Sequence, residues 1–271
     1  MRFYWKDLLL PNPSHDFTID DTRRSVVYFF EPNRTPFDLN FNLFGIHVRV
    51  HPMFWVVTGI LGSNQDDPKY VFMWIGVVFI SVLIHELGHV IVGQLFGSYG
   101  HIVLYGFGGL AIGSSDLRKR WQRNLVYVAG PCAQLLIWGV AKAIEFICDL
   151  KGIRLGEPAS VALDQLEFVN LWWPVLNLMP IWPLDGGRIS RETFEWLMPR
   201  NGTGVSLFVS FILAAFLAVC FLADYKGYPI LPFIHGGLYS ALFFALFAVS
   251  NVQEWQMLRD RPWREEPPDS W

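Results

Sequence analysis

Long apolar stretches, separated by short polar segments, dominate the chain and indicate a membrane protein. Six stretches are apolar enough to predict transmembrane helices. They span residues 46–61, 70–97, 124–141, 166–183, 205–222 and 228–250. The first is short for a span, and the fourth ends at Pro180 and Pro183, which cannot continue a regular helix. The pattern therefore predicts an all-α membrane protein with about six transmembrane helices.

The segments outside these stretches are short and polar. Residues 100–116 are rich in glycine and alternate between apolar and polar positions, which predicts a small β-hairpin or re-entrant loop. Residues 1–45 form a polar N-terminal segment in which TRRSVVYFF and FDLNFNLFG alternate weakly, as edge strands or an interfacial segment do. We therefore divide the chain into this segment, a transmembrane domain at 46–251 and a polar C-terminal tail at 252–271.

The composition agrees with a membrane protein. Of the 271 residues, 52% are hydrophobic and only 17% are charged, which is too apolar for an ordinary soluble domain. The net charge is −3 and the chain has no basic stripe, so we expect no nucleic-acid partner. The three cysteines lie far apart and form neither a CxxC motif nor a disulfide framework.

Lysine and arginine residues collect on one side of the predicted topology. If all six stretches cross, sixteen of the 21 fall in the N-terminal segment, the loops at 97–123 and 184–203, and the C-terminal tail. Because cytoplasmic loops carry an excess of these residues, both termini are expected in the cytoplasm. If the short first stretch does not cross, the N-terminal segment moves outside, and the other loops still favour the same face by ten to five.

The sequence HELGH lies in the last third of the second apolar stretch, where ionisable residues are costly. His85 and His89 are four residues apart and share one helix face, so their imidazoles can bind one Zn²⁺. Glu86 lies beside them and can act as a general base toward water. The pattern arises by chance in about one chain in a hundred of this length, but its apolar surroundings favour a functional site.

A second motif, NLMPIWPLDGGR at 177–188, ends the fourth apolar stretch. A catalytic zinc takes three protein ligands and leaves one position for water, and Asp185 can supply the third ligand. The predicted topology places this motif and HELGH at the cytoplasmic ends of their spans. The alternative is a helix terminus with an exposed Asp185 and a turn at Gly186 and Gly187.

HELGH in one span, AGP in another and NLMPIWPLDGGR at the end of a third together resemble the site-2 protease family of intramembrane zinc metalloproteases. The resemblance covers residues 45–195 and implies Zn²⁺ as cofactor, with His85, His89 and Asp185 as ligands and Glu86 as the catalytic base. Members of the family cut membrane-spanning segments of other proteins, often releasing a transcriptional regulator.

The same resemblance implies further roles. Asn177, eight residues before Asp185, is expected to hold the substrate carbonyl, and Gly108 and Gly109 belong to a membrane-dipping hairpin that contacts the substrate. The family usually has asparagine where this chain has Gln134, and we expect this difference to affect packing or a substrate contact rather than the metal site.

The implied partners are the lipid bilayer and a single-span membrane protein, such as an anchored transcriptional regulator or an anti-sigma factor. The implied location is the inner or cell membrane of a bacterium. Two other functions remain open. A catalytically silent relative that binds membrane segments has no reason to keep all four site residues, and an intramembrane metal carrier predicts ligands spread along a path.

Overall fold

The computed structural model describes residues 31–65, 67–230 and 237–260. This part of the chain is mostly helical and includes one small sheet. The strands are β1 (Leu39–Leu43), β2 (Ile46–Val50), β3 (His101–Tyr105) and β4 (Gly108–Ile112). The helices are α1 (Pro52–Leu61), α2 (Pro68–Leu95), α3 (Arg120–Leu150), α4 (Glu157–Asn177), α5 (Asp185–Leu197), α6 (Gly202–Tyr225) and α7 (Leu238–Arg259).

The four strands form one sheet in the order β1-β2-β3-β4. Strands β1 and β2 make a hairpin whose two turn residues, Phe44 and Gly45, both have positive φ, as a type I′ turn requires. Strand β2 pairs in parallel with β3, and β3 pairs antiparallel with β4. Strands β3 and β4 thus form a β-hairpin within the predicted segment 100–116, and FDLNFNLFG contains a strand. The segment TRRSVVYFF lies outside the described residues.

The prediction of a helical span at 46–61 is wrong. Residues 46–50 form strand β2, and α1 has only 10 residues, which rise about 15 Å. Apolar residues alternate with His47 and Arg49, which is the period of a strand, and His51 then caps the helix by accepting a hydrogen bond from the backbone N–H of Met53. Because the segment as a whole is apolar, its hydropathy does not show that the strand ends and the helix begins at His51.

Three helices are long and apolar enough to cross a membrane, namely α2, α3 and α6, among the described residues. They confirm the helices predicted at 70–97, 124–141 and 205–222. Helix α4 begins nine residues before the predicted stretch at 166–183 and ends before Pro180. Helix α7 begins ten residues after 228, and residues 228–230 are not helical.

Helix α2 is the centre of the fold. Its packing against the sheet and α1 forms one hydrophobic core, which includes Val82, Val90 and Leu104. On another side it packs against α3, where Gly88 allows the backbones to approach; a Cβ at Gly88 would lie 2.7 Å from the carbonyl oxygen of Ala129. A second core joins α6 and α7 around Ile181. The residues of HELGH therefore lie between the sheet and α3.

Several arginines that contribute to the charge bias are buried in ion pairs. Arg123 binds both carboxylate oxygens of Glu192 at 2.7 Å and joins the start of α3 to α5. Arg49 contacts Asp38 at 3.1 Å and also Glu31, which ties residues 31–38 to β2. These side chains therefore stabilise the fold as well as carrying charge.

Candidate active site

The residues of HELGH meet the second motif in a buried pocket. His85, Glu86 and His89 lie on α2 and are at most 5% exposed. Asp185 is the first residue of α5, 100 positions after His85, and its Oδ2 lies 3.1 Å from His85 Nε2 and 3.3 Å from His89 Nε2. The two Nε2 atoms are 3.1 Å apart. The fold therefore brings the three predicted ligands into one triangle.

The triangle fits a zinc ion in donor type and in spacing. Two ligand atoms about 2.0–2.1 Å from a tetrahedral zinc are about 3.3 Å apart, which matches the observed separations. The Nδ1 atom of His89 lies 2.6 Å from the carbonyl oxygen of Val126. Because a carbonyl only accepts hydrogen bonds, this Nδ1 carries the proton, and Nε2 keeps its lone pair for a metal. No other cluster of potential metal ligands is found in the described ranges.

Asp185 is held in place by the loop at 178–184. Asn251 of α7 donates a hydrogen bond to the carbonyl oxygen of Trp182, and the backbone N–H of Trp182 donates to Ser210 of α6. Gly186 lies directly against this loop, since a Cβ there would be 2.5 Å from the carbonyl oxygen of Met179. The two glycines therefore begin a helix packed on the loop, and the alternative of a turn with an exposed aspartate is excluded.

Glu86 faces the β3–β4 hairpin. A Cβ at Gly109 would lie 2.6 Å from Glu86 Cδ, so only glycine leaves room for the carboxylate. Gly108 has a φ of +125° and lies against Trp173, which a Cβ would approach to 2.9 Å. Asn177, the last residue of α4, lines the same pocket. All seven predicted site residues therefore lie at or beside this pocket.

Sequence reasoning missed several residues around the pocket. Tyr105, Trp173 and Arg188 line it. Gly130 lies against both histidines, because a Cβ there would be 2.9 Å from His85 Nε2. The AGP motif was the available signal for Gly130, but a motif does not show which atoms it lies against.

Gln134 lies closer to the proposed metal site than the sequence suggested. Its Oε1 lies 2.9 Å from Nδ1 of His85, so the residue that departs from the family pattern contacts a predicted metal ligand. The sequence could not show this contact, because the two residues are 49 positions apart and meet only when α2 packs on α3.

Comparisons with known proteins agree with this site, although no family profile matches the chain. A protein of Synechocystis sp., whose name proposes that it is a zinc metalloprotease, is 32% identical over 178 residues, which are 60% of this chain and 46% of the relative. Stage IV sporulation protein FB of Bacillus subtilis is 28% identical over 156 residues, which are 57% of this chain and 50% of that protein. The chain thus covers about half the length of these relatives.

The fold has a solved counterpart. The site-2 protease from Methanocaldococcus jannaschii superposes with a TM-score of 0.55 at 23% identity, covering 81% of this chain and 95% of that one. At this identity the likeness establishes the fold, while the sequence relatives connect it to zinc metalloproteases. Together with the triangle of His85, His89 and Asp185, these comparisons confirm the chain's resemblance to the site-2 protease family.

Proposed function

We propose that the chain is a zinc-dependent intramembrane endopeptidase that hydrolyses peptide bonds in or near transmembrane segments of other membrane proteins. The observation that carries this proposal is the triangle of His85, His89 and Asp185 with Glu86 beside it; the two histidines and Glu86 lie inside an apolar helix. A buried carboxylate and two imidazoles are costly at this depth unless they perform a function.

The proposed roles follow from the positions of the side chains. Zn²⁺, when bound, supplies Lewis-acid chemistry that polarises a carbonyl and lowers the pKa of water to about 7. Glu86 accepts the proton of the attacking water and delivers it to the leaving amide nitrogen. Asn177 lines the pocket and donates a hydrogen bond to the substrate carbonyl oxygen. Asp185 offsets part of the metal charge, which would be costly to bury uncompensated.

Strand β4 supplies the surface that positions the substrate in this proposal. It is an edge of the described sheet, and Gly109, Leu110 and Ala111 line the pocket that contains Glu86. An extended substrate can add to such an edge as a further strand, which exposes its peptide bonds for attack. Proline at Ala111 should reduce cleavage of an intact membrane span more than cleavage of a short unstructured peptide. Equal losses on both substrates would exclude this role.

Six crossings with both termini in the cytoplasm remain our proposed topology. Placed end to end, β2 and α1 extend at most about 31 Å, which is close to the ~30 Å thickness of the hydrocarbon layer. In this topology they form the first crossing in place of a single helix. Helices α4 and α7 have 21 and 22 residues, enough to cross by length. The hairpin β3–β4 then lies at membrane depth as a re-entrant element, which is tolerated where protein surrounds the strands. The proposed location is a bacterial inner membrane.

The proposed substrate is a single-span membrane protein, such as an anchored transcriptional regulator or anti-sigma factor. The two alternative functions have less support. An intramembrane metal carrier requires ligands along a path, whereas the described residues contain one compact cluster. A silent relative has no use for Glu86 in the pocket.

The test of the proposal is the Glu86→Gln variant. We expect it to hold near-stoichiometric zinc and to cleave nothing, because Glu86 moves protons and does not bind the metal. Zinc content and cleavage of a membrane-span substrate are measured on the purified protein. Cleavage by Glu86→Gln at the wild-type rate would contradict the proposed mechanism.

A further inference from the structure

Gln134 is a fully buried polar residue in the middle of α3, with a relative exposure of 0%. Its Oε1 lies 2.9 Å from Nδ1 of His85. Its Nε2 has no hydrogen-bond partner within the described part of the chain. Only one end of the side-chain amide is therefore satisfied, and that end faces a proposed zinc ligand.

We propose that Gln134 is a positioning residue that fixes the tautomer and ring orientation of His85 for metal binding; this inference rests on the proposed zinc site. When Oε1 faces the ring, it accepts a hydrogen bond from Nδ1–H, and Nε2 of His85 keeps its lone pair. That Nε2 is the atom 3.1 Å from Asp185 Oδ2. If the amide nitrogen faced the ring instead, the proton would move to Nε2 and block metal binding.

The length of the side chain matters at this position. An asparagine, which the family resemblance leads one to expect here, is one methylene shorter and ends about 1.5 Å earlier. From the same backbone position its oxygen reaches less far toward the His85 ring than the glutamine oxygen does.

The unsatisfied Nε2 argues against a purely structural role. A buried donor without a partner disfavours folding, so a well-packed apolar residue of similar size would stabilise the protein at least as well. The hydrogen bond that Oε1 accepts from His85 accounts for an amide side chain at this buried position. Hydrogen bonds that orient a metal ligand in this way support metal affinity.

The experiment compares four full-length proteins purified in detergent: wild type, Gln134→Leu, Gln134→Glu and Gln165→Leu. Gln165 is a matched control, because it is also buried and also has one unsatisfied amide atom, but its Nε2 donates to the backbone of Tyr70. Zinc affinity is measured by competition with a chelator, and thermal melting is measured on the metal-free proteins.

We expect Gln134→Leu to bind zinc 10–100-fold more weakly than wild type, with an unchanged or higher melting temperature of the metal-free protein. Gln134→Glu should bind zinc at least as tightly as wild type, since a carboxylate can only accept from Nδ1–H. Gln165→Leu should leave zinc affinity unchanged.

Zinc binding by the wild type distinguishes failure of the proposed function from failure of the positioning role. If the wild type binds no zinc, the proposed function itself fails. If the wild type binds zinc and Gln134→Leu binds it equally well, only the positioning role fails. Equal losses in the Leu and Glu variants, or an equal loss in Gln165→Leu, would attribute the effect to packing and overturn the role of the hydrogen bond.

Discussion

Gly130 leaves space for the proposed ligands, and adding one methyl group there tests the site directly. In Gly130→Ala the new Cβ would lie 2.5 Å from Cε1 of His89 and 2.9 Å from Nε2 of His85. An ordinary contact is about 3.5 Å, so the His89 ring must move by about 1 Å. Moving α2 away from α3 would relieve this clash only by breaking the close packing of Gly88 against the same part of α3.

A shift of about 1 Å is large for a metal site, where ligand distances are set to about 0.2 Å. His89 would therefore leave the coordination sphere, or His85 would be displaced with it. The loss of one zinc ligand should weaken zinc binding by at least about 100-fold, at the upper end of what orienting contacts contribute, and activity should fall to background.

The assay compares Gly130→Ala with Gly139→Ala on the same helix. Gly139 has no heavy atom within 4 Å of its ideal Cβ position, so alanine fits there without contact. This control should bind zinc normally and gain about 0.5–1 kcal/mol of stability, because alanine favours the helix. Zinc affinity by chelator competition and cleavage of a membrane-span substrate are measured on both proteins.

Wild-type zinc affinity and normal cleavage by Gly130→Ala would refute this role for Gly130. Misfolding is recognised separately, because a misfolded Gly130→Ala protein would lack the cooperative metal-free melting that Gly139→Ala shows. In that event Gly130→Ser does not help, since it carries the same Cβ and an added hydroxyl. The Gly88→Ala variant then becomes the second test of the α2–α3 contact. It should also lower zinc affinity, because its Cβ would meet Ala129 at 2.7 Å.

Three further predictions follow from the same site and topology. Asp185→Asn should weaken zinc binding by about tenfold or more, since it keeps the shape and removes the charge, and Asp185→Ala should be worse; unchanged zinc affinity in both would exclude Asp185 as a ligand. Gly109→Ala should keep zinc but lower kcat by about 100-fold, because its Cβ displaces Glu86, and normal turnover would contradict that contact. A cysteine at Arg118 should resist labelling by an impermeant reagent from outside intact cells, and efficient labelling would overturn the topology.

The proposed ligands could be named from the sequence because each motif is local. His85 and His89 share a helix face by spacing alone, and their apolar surroundings already indicated a function. Asp185 could be named as a third ligand because two imidazoles leave zinc with charge to be neutralised and because Pro180 and Pro183 mark a broken helix near it. The hairpin at 101–112 was predictable from its alternation and its glycines.

Other features depend on which elements pack together. The change from strand to helix at His51 was hidden, because hydropathy averaged over a window does not separate a buried strand from a short span. Helix α5 was read as a loop, because Gly186 and Gly187 are poor helix formers, and only their packing against the loop at 178–184 explains them.

By itself, the sequence determined the kind of chemistry: an apolar chain, two imidazoles at helical spacing, a glutamate between them and a distant aspartate. The tertiary structure decided which atoms meet. It brings Asp185 to within 3.3 Å of His89 Nε2 and sets Gln134 against Nδ1 of His85. These contacts join residues 96 and 49 positions apart, and such pairs become neighbours only through the close packing of helices, which no local pattern encodes.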